Sequence, residues 1–311
     1  MKPYLAGAPL RLILDTDINS DCDDVAALAV LHALRQRGEV DLIGVICSVP
    51  VPWTALCVAA VNEAYGQADL PVALVQVPDF AENERYAPYR AHCARAREWH
   101  GGPLYNEVVG GAWQAAHPDW APGEAVDLYR ELLAAAPDNS VVICAIGTLS
   151  ALAQLLDSGP DARSPLSGEA LVAAKVRRLV SMAESAFPEG QDCFNWAMDK
   201  PAAARVINDW PTPLTVSDWG REVFTGRRFL AAAPEAHPVA RALRIWFGDM
   251  EPQRPSWDQL AVLYAVRGVG NLFVEHSDHG LRFDAASGRH EYEPQQPGRP
   301  ARTWLEPRQD N

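Results

Sequence analysis

The stretch Arg11 to Leu34, RLILDTDINSDCDDVAALAVLHAL, decides how the rest of the chain is read. An apolar run, Leu12-Ile13-Leu14, leads into five aspartates within ten residues: Asp15, Asp17, Asp21, Asp23 and Asp24. An alanine- and leucine-rich segment follows at once. Apolar run, polar turn and helical period spell a buried strand, the loop at its C-terminal end, and a helix. Open α/β sheets bind ligands at that end of their strands. Like charge this dense repels itself unless a cation or bound hydroxyls hold it together, and hard oxygen ligands suit Ca²⁺ or Mg²⁺ better than zinc. Helix N-capping accounts for one or two of Asp21, Asp23 and Asp24, but not for Asp15 and Asp17 at the strand end. The spacing also imitates the start of an EF-hand loop. That motif needs glycine at its sixth position and glutamate at its twelfth, where Ser20 and Ala26 stand here, so it fails.

The 311 residues suffice for one large α/β domain, and 48% hydrophobic with 22% charged residues is a globular composition. A net charge of −13 argues against nucleic acid or an anionic membrane as partner. The six cysteines are scattered without C-x-x-C or zinc-like spacing, which suits reduced thiols in a cytoplasmic protein. No apolar run approaches membrane-spanning length, and MKPYLAGAPLR lacks a long apolar leader core.

Outward from the aspartate loop, VDLIGVICSV and the segment around Val72 read as further strands, with a helix from Trp53 to Tyr65 between them. Residues 78–122 break the rhythm with aromatics, arginines, Gly101-Gly102 and prolines, and read equally well as a functional lid or subunit contact and as a satellite core. Helix over Glu124–Ala136, strand-turn-helix in SVVICAIGTLSALAQLLD, and strand over Arg177–Met182 follow. A helix begins after Asp199, a short strand spans Pro213–Val216, and helices cover Glu235–Phe247 and Trp257–Val266. The expected fold is α/β: a mainly parallel sheet flanked by helices, with a small C-terminal antiparallel appendage. It is read as one domain over 1–311, with its core at about 11–268 and the appendage at about 269–311. The tail from Pro294 reads as frayed or surface-packed.

At this point the residues resemble a known family. DTDINSDCDD followed by VAALAVLHAL is similar to the first strand and loop of the calcium-dependent nucleoside hydrolases of the inosine-uridine preferring type. ICAIGTLSALA, CFNWAMDKPAAA and SWDQLAVLYAV resemble three further family segments in the family's order, so the likeness runs from Arg11 to about Gly268. The resemblance implies an N-ribosyl hydrolase that splits a ribonucleoside into free base and ribose with one Ca²⁺. It implies Asp17 as both general base and metal ligand, Asp24 and Asp258 as further carboxylate ligands, and the carbonyl of Ile146 as another. It implies Asp23 on the ribose hydroxyls and Asn195 on the sugar, with Asp21 and Met182 beside them. Trp257 stands where many relatives carry a histidine, and where the purine-specific branch carries a tryptophan that stacks on the base; this favours a purine. A homodimer or homotetramer is also implied.

The residues support the same chemistry on their own. An oxocarbenium-like transition state calls for nearby carboxylates, and a hard cation lowers the pKa of water beside a carboxylate base. The chain departs from the family at several points. The spacing after Asp17 is two residues longer, leaving the roles of Asp21, Asp23 and Asp24 interchangeable. Cys193 stands for the family glutamate before Phe-Asn, Val49-Pro50-Val51 for its Gly-Asn, and Met182-Ala183-Glu184 for its Met-Gly-Gly. Two other classes compete: a metal-dependent ribose-binding protein without turnover, and a haloacid dehalogenase-like phosphatase, for which Lys175 lies in no suitable motif. Asp258 as a mere helix cap, Asn195 as a mere turn residue and His100 as a proton donor to the leaving base are the remaining alternatives.

Overall fold

The computed structural model describes residues 9–184 and 186–308. The first half runs β1 (Leu10–Thr16), α1 (Asp23–Gln36), β2 (Val40–Cys47), α2 (Pro52–Ala64) and β3 (Val72–Leu74). Two helices, α3 (Ala87–His100) and α4 (Tyr105–Ala116), precede β4 (Gly123–Glu124), α5 (Ala125–Ala135), β5 (Val141–Ala145), α6 (Ser150–Asp157) and α7 (Gly168–Lys175). Then come β6 (Val176–Met182), β7 (Glu189–Gln191), α8 (Lys200–Asp209), β8 (Leu214–Ser217) and the short β9 (Phe224–Thr225). The chain continues through α9 (Arg227–Ala232), α10 (Pro238–Phe247), β10 (Arg254–Pro255) and α11 (Trp257–Arg267). It closes with β11 (Phe273–Phe283), β12 (Arg289–Pro294) and β13 (Arg302–Pro307).

Eleven strands form one sheet in the order β4-β3-β2-β1-β5-β6-β8-β13-β11-β12-β7, and β9 and β10 make a separate antiparallel pair. Pairing is parallel from β4 to β13 and antiparallel from β13 to β7. This is the α/β architecture expected from the sequence. From β1 the chain steps outward to β2, β3 and β4, then returns to lay β5 on the other side of β1. The C-terminal ends of β1 and β5 therefore flank the crevice at which strand order reverses, where open α/β sheets take their ligands. Alternation along β1 serves both faces: Leu12 and Leu14 enter the core beneath α1, α2 and α11, and Ile13 enters the core beneath α5, α6 and α8.

Two expectations are corrected. Residues 78–122 are mostly helical, because Pro88 sits in the permissive first turn of α3 and Gly101, at φ 67°, ends it. The tail beyond Pro294 is not frayed. Its Arg302–Pro307 segment inserts as β13 between β8 and β11, with Leu305 fully buried, so the antiparallel C-terminal strands are continuous with the main sheet. Helices α7 and α9 were not anticipated at all.

His32 of α1 is buried against α2, bonded to Asn62 Oδ1 at 2.8 Å and stacked on Tyr65. Burial pushes its pKa down to about 4, so the unfolded chain takes up the proton first. The stability this confers above pH 6.5 is lost as pH falls towards 4, by on the order of 1–3 kcal/mol. Urea unfolding across that window should show a steeper decline for the wild type than for His32→Gln; identical slopes would contradict the assignment.

Candidate active site

Strand β1 delivers its aspartates to opposite sides. Asp15 accepts a hydrogen bond from Tyr129 Oη at 2.6 Å inside the core, and burial pushes its carboxyl up to about 7. Asp17, just past the strand, lines a cavity of about 190 Å³ at the switch point. The turn after β5 presses against it: a Cβ on Gly147 would lie 2.5 Å from Asp17 N and 2.9 Å from Thr16 C. Only glycine permits that approach, which brings Ile146 to the same cavity. Between the strand and α1, Thr16 Oγ1 donates to Asp24 Oδ1 at 2.5 Å.

Asp17, Asp21, Asp23, Asp24, Ile146, Met182, Asn195, Trp257 and Asp258 all line this one cavity. Residues up to 241 positions apart in the sequence are thus gathered by β1, β5, β6 and the start of α11. Single carboxylate oxygens of Asp21, Asp23 and Asp24 lie within 4.8 Å of one another, a spacing compatible with a metal ion. Asp258 is buried in the first turn of α11, whose N-cap is Ser256. Asn195 is no local turn residue: its Nδ2 donates to the carbonyls of Ile146 at 3.1 Å and Met182 at 3.2 Å. His100 does not line the cavity; it packs against Trp99 and Trp246.

The charge balance is unusual. Burial pushes the carboxyls of Asp17, Asp24 and Asp258 well above the ordinary range, and the neighbouring aspartates add to the shift. Buried Asp17 Oδ2 has no hydrogen-bond partner, as a cation ligand would be left when no ion is bound. Among the described residues lining the cavity, one supplies a counter-charge that the sequence reading missed. Arg254 of β10 donates through Nε to Asp23 Oδ1 at 3.0 Å and through Nη2 to Asp21 Oδ2 at 2.8 Å. Its guanidinium lies 4.5 Å from the Trp246 ring centroid and 5.4 Å from that of Trp257. Burial alone would depress its pKa, but Asp23 and Asp21 outweigh that and raise it.

The 78–122 segment braces this loop from outside. Asn19 donates to Tyr89 Oη at 2.8 Å and Asn106 donates to Asn19 Oδ1 at 2.9 Å; from α10, Trp246 Nε1 also donates to Ser20 O at 3.2 Å. Arg85 grips Asp199, the N-cap of α8, with two hydrogen bonds at 2.7 and 3.0 Å. Tyr89 and Cys93 form a small satellite cluster with Val49, while Tyr105 and Val109 of the same segment join the main core beneath α1.

Acidic side chains gathered with a backbone carbonyl at the switch point of a parallel sheet define a cleft suited to a cation and a small polar ligand. The family profile described as inosine-uridine preferring nucleoside hydrolase matches residues 12–294, and the chain belongs to that family. It is a glycosidase of the nucleoside hydrolase type, acting on N-glycosidic bonds. No curated protein sequence gives a significant match. Among solved structures, a plant nucleoside hydrolase, the PpNRh1 enzyme, is similar at 16% identity and TM-score 0.63, covering 96% of this chain and 94% of that one. A purine-preferring ribonucleoside hydrolase from Gardnerella vaginalis is similar at 15% identity and TM-score 0.66, over 95% and 92% of the two chains. The type III effector protein XopQ, solved with adenosine diphosphate ribose, is similar at 18% identity and TM-score 0.67, over 95% and 88%. At these identities the likeness speaks for the fold. Among the described residues no helix is long and apolar enough to cross a membrane.

Replacing Arg254 by Met leaves Asp21 and Asp23 without their counter-charge. The expected cost at neutral pH without added metal is about 3 kcal/mol, shrinking as pH falls towards 5 and Asp23, whose buried carboxyl is pushed up to about 7, takes up a proton. Denaturant unfolding of wild type and variant at the two pH values measures this; a pH-independent difference would mean that packing, not charge, is what Arg254 supplies.

Proposed function

We propose that the protein is a Ca²⁺-dependent ribonucleoside hydrolase with a purine preference, and that Asp17 is its general base. The carrying observation is the convergence of Asp17, Asp24, Ile146 and Asp258 on one cavity at the switch point. These oxygen donors fit a hard cation, and the partnerless Asp17 Oδ2 supports that fit. Asp17, Asp24, Asp258 and Ile146 would hold the ion. When bound, it would supply Lewis acidity to the attacking water and to the vicinal ribose hydroxyls.

The side chains do the rest. Asp17 takes the proton of the water that attacks the anomeric carbon. The buried carboxylates around it stabilise the positive charge that develops on the ribosyl ring. Asp23 and Asp21, oriented by Arg254, accept hydrogen bonds from ribose hydroxyls. Asn195, with its amide nitrogen already committed, offers its side-chain oxygen to the sugar, and Met182 closes the wall beside it. Trp257 presents a partly buried indole at the cavity edge, a surface for stacking a purine.

This reading includes a cytoplasmic location, one domain over the whole chain, and assembly as a homodimer or homotetramer. Trp99, Val223, Phe224 and Met250, exposed apolar side chains, are consistent with a subunit contact. One observation favours a binder without turnover. At the position of the family glutamate, the Cys193 thiol donates to Glu184 Oε2 at 2.6 Å and is held protonated, its pKa pushed up to about 12.

Ribose release from inosine, adenosine, guanosine, uridine and cytidine, with Ca²⁺ and after chelation, tests the proposal. Release should be fastest with the purines, should vanish on chelation, and should fall by about 10³-fold or more in Asp17→Ala. No release from any nucleoside, together with Ca²⁺-dependent ribose binding, would overturn the hydrolase reading in favour of the binder.

A further inference from the structure

A second cavity, of about 430 Å³, adjoins the acidic one and shares Glu184, Cys193 and Trp257 with it. Its remaining wall includes Asp218, Trp219, Arg221 and Glu222. The loop over 218–222 is seated on the start of α11: Ser256 N donates to Gly220 O at 2.9 Å. Gly220 has φ 155°, and a Cβ there would fall 2.4 Å from Trp257 N and Cα. Trp219 is fixed by donating through Nε1 to Leu305 O at 2.6 Å. The two cavities therefore meet across Trp257, with two indoles in the walls of the outer one.

Deepening the hydrolase reading, on which it rests, we infer that the outer cavity receives the base of a ribonucleoside whose heteroaromatic ring carries a fixed positive charge. N-ribosylpyridinium and N7-alkylpurine nucleosides share that chemistry. Two features of the walls select it. Among the described residues, Glu184, Asp218 and Glu222 line it with one cationic side chain, Arg221, which is engaged with Glu184 at 2.9 Å. Indoles bind planar cations through their π faces.

The chemistry of departure agrees. Among the described residues no histidine lines either cavity. A neutral base needs a proton as it leaves, whereas a cationic base does not. Water oxygen bonds to the anomeric carbon, its proton passes to Asp17, and the C–N bond breaks with both electrons going to nitrogen. That electron pair cancels the ring's charge, so the base departs neutral and ribose is left.

The test compares nicotinamide riboside and 7-methylguanosine with guanosine on the Ca²⁺-loaded wild type and on Asp218→Asn and Glu222→Gln. The wild type should show kcat/KM about tenfold or more higher for the charged nucleosides. Charged bases also leave faster in water, so the variants are decisive: each should lower the charged-to-neutral ratio by about threefold or more. Whichever charged nucleoside is better identifies the ring type. Hydrolysis of guanosine with a ratio unchanged in both variants overturns this inference and leaves the hydrolase reading standing. Hydrolysis of no nucleoside overturns the hydrolase reading, and this inference with it.

Discussion

Everything at the functional end of this fold follows from one electrostatic constraint: several carboxylates are buried together in a crevice with little water to screen them. Two unit charges about 4 Å apart repel by about 4 kcal/mol at an effective dielectric near 20. Asp21, Asp23 and Asp24 approach to that range, and Asp17 and Asp258 share their cavity. Three means of relief exist. Arg254 neutralises part of the charge, protonation removes more, as the raised carboxyl pKa values indicate, and a divalent cation would remove most of the remainder. The third is the one with catalytic value, because the charge that holds the ion can also stabilise a ribosyl cation.

The scaffold's contribution is to keep that arrangement from relaxing. A loop carrying so much like charge would spread into solvent if it were free. Here Gly147 lets the β5 turn close on it, Asn19 and Asn106 tie it to α3 and α4, and Trp246 caps it from α10. Arg85 extends the same bracing to α8 through Asp199. The elements surrounding the cleft therefore hold the repulsion in place, at a cost in stability that the two large cores on either side of the sheet offset.

Legibility in the sequence followed the locality of the interactions. The β1-loop-α1 unit, the turn after β5 and the start of α11 announce themselves through adjacent residues, and these three supply Asp17, Asp24, Ile146 and Asp258. Their gathering in one cavity needed only the parallel order that alternating strands and helices imply. Arg254 was missed because its partners lie more than two hundred residues away and nothing near it signals a site. Strand β13 was missed for the same reason, since its parallel partner β8 is remote and Pro and Gly around it mimic a tail. In 78–122 the proline and glycines that read as breakers are in fact the start and stop of α3.

The most direct test of this account is calorimetric titration of the metal-free protein with Ca²⁺, for the wild type and for Asp258→Asn. The account predicts one Ca²⁺ per chain, bound with proton release as the raised carboxyls ionise, and affinity lowered by about 10-fold or more in the variant. An absence of binding heat and proton release, or equal affinity in wild type and variant, would show that this acidic cleft is not organised around a cation.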